Sequence, residues 1–552
     1  MIIGLNKHWK FRLGDAPTAW QKDFEDTDWD SVTLPHDWAV SLEFSRENSS
    51  GTGYLPGGTG WYRTRFTLPE AGRDKKIWVV FDGVYKNSQV WVNGYNLGNR
   101  PYGYSTFRYD ITDFAAFGET ENVLSVRVVH EDIADSRWYT GSGITRKVSL
   151  EIQEKLYFDE YGVFFSLLPT QNGVRIRNTL VNETGCTATG VVINRLLDAE
   201  GGEAAVFSSA FSLAQDEKKR ITIEGTVDDP KLWSPEAPYL YTLVSEIQID
   251  GQPHNRRTER VGMRAARFCP DTGFYLNDRN MKLKGVCVHH DGGCLGAAVP
   301  KTVWRRRLSK LKAMGCNAIR MSHNPHAPEL YELCDELGFL VIDEAFDEWE
   351  GVKNKWSTGH NVYPPKHQGY AEHFPEWHER DLKAMVRRDR NHASVILWSI
   401  GNEIDYPNDP YAHPRFDVTT GNNDASKPSA ERVYNPNRPN MERISVLARR
   451  LVRMVKEEDD TRPVTSAVAF PELSTYIGFI DALDVVGYNY KEQFYEQDHR
   501  RFPDKPFLGT ENSRSFHAWQ YVTDNDYVAG QFLWTGIDFL GETSGWPKHG
   551  SS

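Results

Sequence analysis

The sequence predicts a multidomain chain: an N-terminal β jelly roll, an immunoglobulin-like β-sandwich, and a C-terminal (β/α)8 TIM barrel. Three observations carry this. The first third is punctuated by short period-two runs with Gly and Asn turns. A second β segment follows it. From near Phe268, continuous apolar runs alternate with helical patterns.

Each part has its own signature. Residues 61–66, 77–81, 88–92 and 122–128 alternate in the way of half-buried strands, and Asn93-Gly94 marks a tight turn. These place a jelly roll over residues 1–154. Residues 173–177 and 219–223 alternate polar and apolar side chains, and the strand density suits an immunoglobulin-like sandwich over residues 155–266. Residues 267–552 contain eight apolar runs: 281–289, 317–322, 339–346, 395–403, 463–468, 484–490, 506–511 and 531–539. Continuous runs suit parallel strands covered on both faces. Between them, Val303, Trp304, Leu308 and Leu311 recur at helical spacing, as do Leu330, Leu333, Cys334 and Leu337, with Gly338 at a C-cap position. A doubly wound sheet is the alternative. A Pro-, Asn- and Asp-rich insertion at 404–440 follows the fourth run and is expected to shape the catalytic rim. The chain ends shortly after the eighth run, so the barrel is expected to be truncated there, without its closing helix.

Composition narrows the function. The chain has 552 residues and a net charge of −12, which argues against nucleic acid as a partner. No apolar stretch is long enough for a membrane helix, and no secretory signal is visible, so a cytoplasmic location is expected, or a periplasmic or secreted one if a signal has been removed. The basic run 305–307 reads as a solvated helix face. Cys186, Cys269, Cys287, Cys294, Cys316 and Cys334 lack CxxC spacing and read as free buried thiols rather than zinc ligands or a disulfide framework. The 17 Trp and 25 Tyr fit large cores and sugar-stacking platforms equally well.

Barrel enzymes carry their chemistry at the C-terminal ends of the strands. In chain order those ends offer His289-His290-Asp291, Ser322-His323-Asn324-Pro325, Asp343-Glu344 followed by Asp347-Glu348-Trp349-Glu350, Asn402-Glu403, Tyr488-Asn489-Tyr490, Glu511-Asn512, and Trp534 with Asp538. Asp343 and Glu344 read as ion-paired supports. Glu403 and Glu511 each end an apolar strand beside an Asn, on strands that face each other across the barrel mouth. Glycoside hydrolysis needs such a pair, one carboxyl protonated and one ionised.

Trp398-Ser399-Ile400-Gly401-Asn402-Glu403 resembles the acid/base signature of glycoside hydrolase family 2, and Leu508-Gly509-Thr510-Glu511 its nucleophile segment. Residues 285–290, 320–325 and 341–345 are similar to its other barrel motifs. Asp135-Ser136-Arg137-Trp138-Tyr139 resembles the loop that its N-terminal domain extends toward the sugar. The resemblance covers nearly the whole chain and implies a retaining, exo-acting glycosidase. Glu403 would be the acid/base, Glu511 the nucleophile, and Asn402 a ligand of the sugar 2-hydroxyl. Tyr490 would hold the nucleophile, with Tyr488 the rival on the same strand face. His289, His323, Asn324 and Asp135 would contact the sugar, and Trp534 would form its platform.

The chain departs from the family pattern in three places. Val288 stands where galactosidases often carry Arg. Glu348 and Glu350 stand where some members bind magnesium through a Glu and a His. No cofactor is required by this reading; a Mg or Na ion at those two carboxylates is the alternative to a solvated acidic loop. No glucuronidase-type Asn-x-Lys is visible after the eighth run. The leading expectation is β-galactosidase activity on a carbohydrate substrate, in a chain that can form a homo-oligomer. The rivals are β-glucuronidase, β-glucosidase, β-mannosidase and α-L-arabinopyranosidase activity, or a carbohydrate-binding protein without turnover.

Overall fold

The computed structural model describes all residues except 132–133, 170–171, 356, 358–368, 407–410, 416–433, 538–539, 543–544 and 547–552. Much of the 404–440 insertion, and Asp538, therefore lie outside the described residues.

The N-terminal part packs a four-stranded sheet against a six-stranded one. Alternation along Lys76–Phe81 and Asn122–His130 sends Ile77, Val79, Phe81, Val126 and Val128 into the space between the sheets, where they meet Trp9, Trp38 and Tyr62. The second part has seven antiparallel strands in sheets of three and four, closed over Phe158, Ile176, Leu180, Val192 and Leu243. This is the immunoglobulin-like arrangement that its period-two runs predict.

The C-terminal part is a closed eight-stranded parallel barrel. Its strands are β1 (Leu283–Val288), β2 (Ala318–Met321), β3 (Leu340–Glu344), β4 (Val395–Asn402), β5 (Val464–Val468), β6 (Val486–Asn489), β7 (Phe507–Asn512) and β8 (Val528–Leu533). Seven helices among the described residues separate them, including α1 (Lys301–Ala313) and α2 (Pro328–Leu337). Gly338 ends α2 in the left-handed region at φ 76°. β1 pairs with β8 to close the barrel. The backbones approach so closely there that a Cβ on Gly530 would sit 2.2 Å from the Leu283 carbonyl oxygen.

Four local expectations need correction. The eighth strand is Val528–Leu533, ahead of the 531–539 run, so Trp534 and Thr535 stand past its end. Residues 266–281 form a three-stranded meander before β1, and its Phe274 and Leu276 plug the barrel interior beside Leu283, Ala318 and Phe532. Arg307 is buried and donates to the Asp291 carbonyl oxygen, so the basic run is only partly a solvated face. All six cysteines are free thiols, but only Cys287 and Cys334 are buried; Cys269 and Cys316 are partly so, and Cys186 and Cys294 are exposed. No helix among the described residues is long and apolar enough to cross a membrane.

The jelly roll docks on the C-terminal rim of the barrel. Tyr102 donates to the Ala345 carbonyl oxygen (2.5 Å), Arg146 to that of Pro325 (2.6 Å), and Asp37 accepts from the Ala297 amide (2.8 Å). Each bond anchors a segment that runs from a barrel strand to the helix after it, so the two parts share one mouth. Phe274 is fully buried in the floor of the barrel. Phe274→Ala is expected to cost about 3–5 kcal/mol; chemical denaturation followed by Trp fluorescence checks this.

Candidate active site

Arg320 stands in the middle of β2, a charge in an otherwise apolar strand, and is completely buried. A guanidinium is tolerated there only with several anionic partners. Its Nη2 donates to both Glu344 carboxyl oxygens at 2.8 Å and to Asn402 Oδ1 at 2.8 Å. Its Nη1 donates to Glu511 Oε2 at 2.9 Å. One side chain thus ties together the ends of β2, β3, β4 and β7. Glu344 also accepts from Ser399 (2.6 Å) and meets His323 Nδ1 (2.7 Å), which makes it the ion-paired support that its position suggests. Asp343 points the other way, accepts from Tyr331, and is pushed up by burial and by Asp389, so hydrogen bonding rather than an ion pair holds it.

Glu403 and Glu511 meet across this hub. The Asn489 amide, at the end of β6, donates from one nitrogen to Glu403 Oε1 and to Glu511 Oε2, both at 3.3 Å. It is held by Asn402 Oδ1 (3.2 Å) and by Thr510, whose hydroxyl donates to its carbonyl oxygen (2.8 Å). Tyr490 gives Glu511 a further hydrogen bond through its side chain. Glu403 and Tyr490 both take left-handed backbone conformations, φ 46° and 52°. Such conformations are costly for non-glycine residues and re-aim a side chain at a strand end.

This turn separates the two tyrosines. Tyr488 is fully buried and donates to Asp498 (2.7 Å), away from the mouth. The expectation that it shares a face with Tyr490 fails because Tyr490 has already left the strand.

The jelly roll supplies one wall. Arg137 reaches Glu403 Oε2 at 3.3 Å and Asp347 Oδ1 at 2.8 Å. Trp138 stacks on His289 (ring centroids 5.7 Å apart, planes 23°). Trp534 stacks on His323 (5.2 Å, 5°), meets His289 edge-on (5.0 Å, 90°) and donates to Glu542 (3.0 Å). Asn402 donates to Asp347 (2.9 Å), and Lys353 reaches both Asp347 (3.0 Å) and the Asn402 carbonyl oxygen (2.6 Å). Asn324 is buried behind His323, and its amide has no hydrogen-bond partner among the described residues. Asp135 lies deeper, paired with Lys86 (2.8 Å) and Tyr85 (2.6 Å), on the wall of a cavity that also touches Trp138, His323 and Asp347.

Glu348 and Glu350 do not converge on a common point for a metal. Lys355 and two backbone amides occupy Glu348, while Arg443 and Tyr411 occupy Glu350. These carboxylates, already saturated by different donors, do not fit a shared ion. Neither is simply a solvated acid: Glu348 is buried, and Glu350 is held by Arg443 and Tyr411.

Burial and the neighbouring Glu403 charge push the Glu511 carboxyl up to about 7, against the pull of Arg320. Burial also acts to raise Glu403, but Arg137 and Lys353 outweigh it and hold that group below its ordinary value. The proton therefore belongs to the pair. Burial pushes His323 down to about 4, so its ring is neutral near pH 7.

The sequence places Asn489 and Asp347 at strand ends, and Arg320 and Arg137 within motifs, but assigns none of them a role, and it does not single out Lys353 at all. The signal for Arg320 was a lone charge inside a buried strand. Lys353 gave none, because only folding carries its loop under β4.

A barrel whose rim sets two buried glutamates around a common donor, beneath an aromatic wall, has the layout of a glycoside hydrolase. Residues 2–153, 166–264 and 269–538 match, in turn, the sugar-binding domain, a second domain and the TIM barrel domain of glycosyl hydrolases family 2. The β-galactosidase BoGH2A of Bacteroides ovatus is 39% identical, over 99% of this chain and 69% of that protein. A Formosa agariphila relative is 32% identical, and the chain spans only 52% of its length. The crystal structure of a family 2 member from Bacteroides cellulosilyticus superposes with a TM-score of 0.83 at 36% identity, over 98% of this chain and 67% of that one. Bacteroides uniformis β-glucuronidase 2, solved with a covalently bound cyclophellitol-6-carboxylate aziridine, gives 0.80 at 27% identity, over 99% and 67%. The chain belongs to glycoside hydrolase family 2.

A pair that shares one proton works only while it holds that proton. The rate constant kcat/KM on a glycoside is therefore expected to fall as pH rises through about 7, where Glu511 and Glu403 together lose it. A pH–rate profile checks the position of this limb.

Proposed function

We propose that the chain is a retaining exo-acting β-glycosidase, most readily a β-galactosidase, with Glu403 as acid/base and Glu511 as nucleophile. The observation that carries this is the Asn489 amide bridging both carboxylates. Two 3.3 Å contacts to one nitrogen hold the two carboxylate oxygens within about 6.6 Å of each other. That bound admits the ~5–5.5 Å of retaining pairs and excludes most of the ~6.5–9.5 Å range that accommodates an attacking water. The covalently bound ligand of the B. uniformis relative supports the same route.

The first step starts with the shared proton of the pair on Glu403, the arrangement opposite to the one that burial and Arg137 favour in the structure; the Glu511 carboxylate attacks the anomeric carbon, the bond to the aglycone oxygen breaks, and Glu403 gives that oxygen the proton. Arg320 and Tyr490 hold Glu511 in line. In the second step Glu403 takes a proton from water, whose oxygen replaces Glu511 at the anomeric carbon. Asn402, fixed by Arg320 and Asp347, is set to engage the 2-hydroxyl. His289, His323 and Trp534 line the remaining approach, Asp135 lies on the adjoining cavity, and Asn324, buried next to His323 in the chain, supports it from behind.

A neutral glycone is favoured by charge. Lys86 and Lys355, which line the adjoining cavity, are already matched by Asp135 and Glu348, so a sugar carboxylate would gain little there. The identity to BoGH2A points the same way. The rival reading, a β-glucuronidase, rests on the B. uniformis likeness.

A panel of nitrophenyl β-galactoside, β-glucuronide, β-glucoside, β-mannoside and α-L-arabinopyranoside tests the glycone; cleavage of the glucuronide alone would reverse the choice. Glu511→Gln is expected to abolish turnover on every member of the panel. Glu403→Gln should lower the rate by about 10²–10⁴ on a natural disaccharide and much less on a nitrophenyl glycoside, whose leaving group needs little protonation. Equal losses on both would refute the role of Glu403.

A further inference from the structure

The charges around the mouth balance to one proton. Four carboxylates face one another there: Glu344, Asp347, Glu403 and Glu511. Three cations reach them, Arg320 from β2, Arg137 from the jelly roll and Lys353 from the segment after β3. The other groups packed around the pair do not change the balance. Burial keeps His323 neutral, and it keeps the Cys287 thiol protonated, pushed up to about 12. Tyr490, whose ring is part-exposed, is held as the phenol by desolvation of its hydroxyl and by the adjacent Glu511. His289 packs between Trp138 and Trp534. Lys86 with Asp135, and Lys355 with Glu348, are self-balanced pairs. Glu542 faces Arg137 only from the half-exposed rim, where water screens it. One negative charge is left over, and a buried site relieves it by binding one proton.

We propose that Arg137 and Lys353 are positioning residues that set the proton count of the Glu403–Glu511 pair to one. They act through a single atom. Asp347 Oδ1 accepts from Arg137 Nη2 (2.8 Å), Lys353 Nζ (3.0 Å) and Asn402 Nδ2 (2.9 Å). Arg137 extends its other arm to Glu403 Oε2, and Lys353 also binds the Asn402 carbonyl oxygen, at the peptide that leads into the left-handed turn of Glu403. The two cations therefore fix both the charge and the direction of the acid/base. Since Arg137 comes from the jelly roll, the N-terminal domain contributes to the ionisation of the barrel's pair and not only to the wall around the sugar. The assignment of roles within the pair rests on the glycosidase reading; the proton count does not.

The test is an infrared titration of the carboxylic-acid carbonyl band in the purified full chain, with Glu403→Gln and Glu511→Gln to assign it, alongside the pH profile of kcat/KM. With either cation removed, in Lys353→Met or Arg137→Met, the band's midpoint and the alkaline limb should both move up by about one pH unit. Lys353→Arg and Arg137→Lys should restore them. Should Lys353→Met fail to fold, Arg137→Met, on a different domain, carries the same demand. A midpoint unmoved in the folded variants, with the rate lowered equally at every pH, would reduce the two residues to mere loop supports and overturn the proposal. If the wild type cleaves no glycoside while the band shifts as expected, the charge assignment stands and the glycosidase reading falls.

Discussion

The whole rim depends on one buried guanidinium. Arg320 lies where solvent cannot reach it, and its desolvation is offset only if Glu344, Glu511 and Asn402 all stay in place. Removing one partner of such a buried pair typically costs about 3–5 kcal/mol, because the other charge is left uncompensated. The geometry of the two glutamates is thus coupled to barrel stability: β2, β3, β4 and β7 cannot shift relative to one another without breaking the same cluster. Pre-organisation of this kind is what a site needs if its charges are to face a developing positive centre without rearranging first.

A second constraint comes from outside the barrel. The jelly roll brings Arg137 and Trp138 to the rim, and the backbone anchors at Ala345, Pro325 and Ala297 hold that approach. Trp138 and Trp534 sandwich the histidines of β1 and β2 between two domain surfaces. The N-terminal domain is therefore part of the site: the barrel alone would lack a wall and a cation.

Much of this was legible in the sequence. Eight continuous apolar runs mark buried parallel strands, and polar clusters at their ends mark a working rim, because a carboxylate at a buried strand end must have partners. Glu403 and Glu511 stand out on those grounds in the sequence alone. Strand ends were less legible. The eighth run was displaced because Trp534 and its neighbours are apolar yet lie past the strand, lining the mouth. Tyr488 and Tyr490 could not be told apart, since period-two alternation holds only while the backbone stays extended, and Tyr490 turns left-handed one residue past β6.

By itself the sequence determined the three-part architecture, the (β/α)8 barrel and the two glutamates, because periodicity and burial are local properties of a chain. Tertiary structure alone decided how many charges meet at the mouth and which ones. Arg137, Arg320, Lys353 and Asn489 come from four distant segments, and nothing in their spacing shows that they share one set of carboxylates. Electrostatic energy depends on distances in space, not along the chain, so the protonation of the pair is a property of the folded molecule only.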